Sequence, residues 1–132
     1  QGSVVPGSEI RGRVVEVVDE SGFDAEGLLA KLGRFGDKKQ IVADHCRERK
    51  GREPKAADLA RLFKQLTMSF DAKDVARGLV QNAHVGVDAA VAGVNAATFV
   101  ARVEVARIFA AGLSDGDKAA LASHFSADFD LL

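Results

Sequence analysis

The sequence predicts an all-α fold, a compact bundle or orthogonal array of about six short helices around a central Ala/Val-rich helix. Three observations predict it. Apolar residues recur at i, i+3, i+4 and i+7 spacing, most clearly at Leu59, Leu62, Phe63 and Leu66. Residues suited to helix ends punctuate those windows, with Asp24, Asp71 and Ser114 at starts and Gly33 and Gly112 at ends. Hydrophobic residues make up 47% of 132 positions, enough to bury one core and too many for a disordered chain.

Residues 1–8 read as a tag remnant and flexible leader, because Gln1-Gly2-Ser3 fits the end of a cleavable purification tag. Residues 9–125 read as a single helical domain and 126–132 as a flexible tail. Ile10, Val14, Val17 and Val18 fit a helical face, although the β-branched run suits a strand as well. A helix is expected, since a lone strand has no partner in the rest of the chain.

The next starts are marked by two similar phrases, Gly22-Phe23-Asp24-Ala25 and Ser69-Phe70-Asp71-Ala72. In each, Asp suits an N-cap and the preceding Phe can staple onto the apolar residue at N4. The first helix ends at Lys31-Leu32, with Gly33 expected in the left-handed conformation. The phrases lie 47 residues apart, and shared capping chemistry accounts for them better than a repeat does, because the residues after them diverge.

A second helix is expected from Asp37 to Lys50, with Ile41, Val42, His45 and Cys46 facing inward. A third has Pro54 at its first position, and a fourth runs from Asp71 to about Asn82. From Asp88 to Ala111 the chain is mostly Ala, Val and Phe, which predicts one buried helix or a broken pair. Within it Ala89, Gly93 and Ala97 allow close approach. Ser114 starts a last helix, in capping-box style, that reaches about Phe125.

Catalytic and metal-binding signatures are missing from the pattern. His45, His84 and His124 are far apart, and Cys46 adjoins His45, so those two point about 100° apart on a helix. No Gly-x-Ser-x-Gly elbow or Gly-x-Gly-x-x-Gly fingerprint occurs, and Asp19 to Ala30 lacks the alternating ligands of a calcium loop. No enzyme activity, metal or cofactor is expected. The lone Cys46 suits a reducing, intracellular and cytoplasmic setting. The longest uncharged stretch, Ala89 to Ala101, is 13 residues, too short to insert across a membrane.

What the chain does carry is segregated charge. Residues 31–64 hold eleven Lys and Arg against five Asp and Glu, net +6, between flanks of −4 and −3. The densest part runs from His45 to Lys55. Lys38, Lys39, Arg47, Arg49, Lys50, Arg52 and Lys55 are the expected contacts for an anionic partner, whether an acidic protein face or the phosphates of RNA or DNA. With no Trp or Tyr, any base stacking would fall to Phe35 or Phe63, and Phe63 reads as core. A helix-turn-helix over Pro54 to Asn82 is discounted, because Asp71 and Asp74 occupy the end that would approach DNA.

The run GFDAEGLLAKLGRFGDKKQIVADHCRERKGREP, residues 22–54, resembles the N-lobe of phlebovirus-type nucleoproteins: a Gly-Phe-Asp-Ala helix start, then a basic helix ending in a Gly-containing basic loop. It covers roughly a quarter of the chain. The resemblance implies RNA encapsidation with self-oligomerisation, the same cations being the contacts. From the residues alone the expectation is a non-enzymatic interaction or assembly module that self-associates, with a sequence-independent nucleic-acid-binding module as the alternative and a small enzyme with an unrecognised site as the second.

Overall fold

The computed structural model describes residues 22–129, which form seven α-helices and no strand. They are α1 (Ala25–Leu32), α2 (Lys38–Glu48), α3 (Ala56–Gln65), α4 (Ser69–Asn82), α5 (Val87–Ala96), α6 (Phe99–Ala111) and α7 (Asp115–Phe125). The expected helix around Ile10 to Val18 lies outside the described residues.

Local chemistry explains most boundaries. Asp24 caps α1, its Oδ1 accepting the Gly27 N–H at 3.0 Å, and Phe23 is buried in the core with Leu28. Ser114 caps α7 by accepting the Asp117 N–H at 3.3 Å. Three expectations need correction. Gly33 is right-handed at φ −73°; α1 is closed instead by Lys38, whose Nζ donates to the carbonyls of Leu32 at 2.6 Å and Arg34 at 3.2 Å. Pro54 precedes α3, whose first turn begins at Ala56 behind the Lys55 cap position. Asp71 is not a cap: α4 starts two residues earlier, and Phe70, freed from any staple, is 54% exposed. The 88–111 segment is a broken pair, α5 and α6, turning at Ala97-Thr98.

Two layers arise from how these helices pack. Helices α1, α3, α5 and α7 lie side by side in one, and α2, α4 and α6 in the other. Within the first layer α3 and α5 run in the same direction: Glu53 lies against Gly86 where they begin, and Leu59 and Phe63 lie against Gly93 further along. Within the second, α2 begins beside Phe70 and Asp74 of α4, and Val42 packs on Gly78 nearer the far end of α4. Gly112 at the end of α6 meets Val80 near the end of α4, so α2, α4 and α6 all start at one end of the stack.

This packing has a sequence period that the Phe-Asp-Ala phrases hid. Leu28, Leu59, Ala90 and Leu121, each 31 residues after the last, are all fully buried on the first layer. Leu32, Phe63, Val94 and Phe125 repeat at the same interval and are all buried. On the second layer the interval is 30: His45, Val75 and Val105 are buried, as are Cys46, Ala76 and Ala106. Asp44–Arg47, Asp74–Arg77 and Glu104–Arg107 form i,i+3 ion pairs at that interval, at 2.9, 3.5 and 3.5 Å. The chain is therefore a stack of helical hairpins in which each unit covers the apolar face of the one before. Each fully buried Leu contributes on the order of 1.5–3 kcal/mol to it.

Candidate interaction surfaces

The seven cations expected to form one basic face are distributed over the whole of α2 and the loop after it. Lys38 is spent on the end of α1, as described above. Arg47 pairs with Asp44, its Nη1 and Nη2 donating at 3.0 and 2.9 Å, and that pair belongs to the repeating ladder. Arg49 turns back to donate from Nε to the Gly22 carbonyl at 2.9 Å. Lys39 is exposed in the first turn of α2, about 16 Å of helix away from the loop.

Lys50, Arg52 and Lys55 are left on the loop joining α2 to α3. All three side chains are exposed, and among the described residues none has a carboxylate within ion-pair distance. Arg49 at one side and buried Pro54 at the other anchor the loop, and Lys55 borders a cleft shared with Glu53, Asp88 and Asp117. Lys50 and Arg52 stand at its tip. Lys50 adopts φ 57° and Gly51 φ 69°, so a lysine occupies a left-handed position that glycine fills more cheaply.

The opposite end of the stack is apolar. Five large hydrophobic side chains are exposed among the described residues: Phe35 at 106%, Met68 at 49%, Phe70 at 54%, Phe99 at 85% and Val100 at 73%. Each lies at or just before the start of a second-layer helix: Phe35 before α2, Met68 and Phe70 at α4, Phe99 and Val100 at α6. Phe35 and Phe70 border one cleft, together with Arg34, Asp37, Lys38, Asp71 and Asp74. Large apolar side chains gathered on one surface mark a contact site far more often than a bare one.

Sequence reasoning assigned Phe70 to a staple and did not single out Met68, Phe99 or Val100. The 30-residue interval is a signal for two of these residues, since it places Phe70 and Val100 at equivalent positions of α4 and α6.

The only buried polar side chain among the described residues is His45. Its Nε2–H donates to the Phe23 carbonyl at 2.7 Å, Nδ1 accepts from Lys31 Nζ at 3.0 Å, and Lys31 also donates to Glu48 Oε1 at 2.6 Å. Burial is the main force lowering its pKa, with the Lys31 charge adding to it, against the Phe23 bond and the carboxylates of Asp24 and Glu48. The Lys31 ammonium likewise holds Glu48 below the ordinary carboxylate value. These contacts lock α2 onto α1 without opening a cleft. Cys46 is buried beside them, and burial raises its thiol pKa, which keeps the less reactive protonated form.

Among the described residues no group of His, Cys, Asp and Glu is placed to hold a metal ion, and no helix is long and apolar enough to cross a membrane. Comparison with family models, with curated proteins and with solved structures finds no match. The resemblance of residues 22–54 to nucleoprotein N-lobes thus stands on those residues alone.

Proposed function

We propose that this chain is a non-enzymatic interaction and assembly module that associates with itself and offers its basic loop to an anionic partner. The observation that carries this reading is the row of exposed Phe35, Met68, Phe70, Phe99 and Val100 along the starts of one layer. A stack of hairpins buries its repeating core internally, so five large apolar groups left outside at one end serve no packing need among the described residues. Sedimentation velocity over a wide concentration range tests it. Assembly that grows with concentration is expected; a strict monomer throughout would count against the self-association.

A second reading is favoured by Lys50 and Arg52, which have no carboxylate partner at the loop tip. It takes the partner to be the phosphate backbone of RNA or DNA, bound without regard to sequence and weakened steeply by salt. A labelled oligonucleotide should then bind at low salt, with a shallower salt dependence after Lys50, Arg52 and Lys55 are changed to Ser. An unchanged salt slope removes this reading.

A further inference from the structure

We infer that the apolar end is a two-fold dimer interface, in which Arg34 of each copy pairs with Asp71 of the other across the exposed Phe35 and Phe70. This deepens the self-association proposed above and rests on it.

The cleft at this end supplies the argument. Phe35 and Phe70 border it with Arg34 on the α1–α2 connection and Asp71 on the first turn of α4. Its other charges are already engaged: Lys38 with the carbonyls of Leu32 and Arg34, Asp37 with the Lys39 N–H at 2.9 Å, and Asp74 with Arg77. Among the described residues the Arg34 guanidinium and the Asp71 carboxylate have no side-chain partner. One apolar patch thus carries one uncommitted cation and one uncommitted anion.

That pattern complements itself. A surface of a single sign calls for an unlike partner, whereas a balanced one docks on its own copy turned by a half rotation, so that both unlike pairs form at once. Phosphates are disfavoured here, because Asp37, Asp71 and Asp74 border the same aromatics. The glycines around Phe35 leave its ring free to lie flat on a facing surface: Gly36 is at φ 139°, and Phe35 itself is fully exposed. The basic loop lies at the far end of α2 and stays outside this contact, so a dimer would present two such loops facing away from each other.

Charge reversal and mixing test the pairing. Arg34→Glu and Asp71→Arg are each expected to weaken dimerisation at least tenfold in sedimentation equilibrium, since each sets like charges face to face twice. An equimolar mixture of the two variants should recover the dimer, because both contacts become unlike again, and so should the double variant carrying both changes. Phe35→Ser with Phe70→Ser, at exposed positions, should abolish association while leaving the helical circular dichroism unchanged.

If wild type dimerises but neither reversal weakens it, or mixing fails to restore it, this interface is wrong while self-association stands. If wild type never dimerises, both fall. Loss of oligonucleotide binding on Phe35→Ser, with no change in association, would reassign the aromatics to base stacking and overturn the interface.

Discussion

At the scale of single residues, His45 shows the chain departing from its own repeat, and Lys50 holds a left-handed backbone. The positions equivalent to His45 are Val75 and Val105, both buried and apolar. His45 replaces that simple packing with a polar lock on Phe23 and Lys31, and its imidazole is more easily protonated in the unfolded chain than in the folded one. Since the folded pKa lies below the ordinary 6.5, the unfolded state binds more protons as the pH falls. His45 therefore contributes full stability above about pH 6.5 and loses it progressively below, until the folded pKa is passed. Thermal unfolding between pH 7 and 5 should show wild type losing more stability than His45→Val; parallel curves would remove the assignment. Lys50 gives a prediction of opposite sign. Its left-handed backbone costs a non-glycine residue roughly 1–2 kcal/mol, so Lys50→Gly should raise stability in denaturant titration by about 1 kcal/mol. The same change should weaken any anion binding by the loop.

At the scale of helices, contact between α2 and α4 depends on the absence of a side chain at Gly78. A Cβ there would sit 2.8 Å from Val42 Cβ and 3.2 Å from the Lys39 carbonyl oxygen, neither of which is a flexible chain end. Overpacking of this kind costs about 1–3 kcal/mol, while alanine returns about 1 kcal/mol through helix propensity. Gly78→Ala should consequently lower stability by on the order of 1 kcal/mol at most positions of that balance. A gain in stability on chemical denaturation would show that the layer can open at little cost. Helix content was legible in the sequence because Leu59, Leu62, Phe63 and Leu66, and the caps Asp24 and Ser114, act over a single turn. What was less legible depends on where each helix starts and how its side chains turn. Phe70 looks like a staple until α4 is seen to start at Ser69, and Arg47 looks like a ligand until Asp44 is placed one turn behind it. The repeat escaped for a related reason. It resides in buried positions such as Leu28, Leu59, Ala90 and Leu121, whose identities vary, and the similar Phe23-Asp24 and Phe70-Asp71 phrases fall on opposite layers.

At the scale of the whole molecule, the shared direction of α2, α4 and α6 separates two surfaces. Helices α2, α4 and α6 begin among exposed apolar residues, and α2 ends in the Lys50–Arg52 loop, about 16 Å of helix away. The candidate basic site was legible as composition but not as a surface, since net charge along the chain does not reveal that Lys38, Arg47 and Arg49 are held by their own neighbours. In the proposed dimer two copies meet at their apolar ends with the loops outermost. Distances between spin labels on opposite copies test it most directly, in a Cys46→Ala background that matches Ala76 and Ala106 of the repeat. With Lys64→Cys, near the apolar end of α3, the labels should lie close together across the interface. With Arg52→Cys they should be separated by roughly 30 Å or more, about two helix lengths. A short distance between the Arg52 labels, or no coupling between the Lys64 labels at concentrations where the protein is assembled, would contradict it.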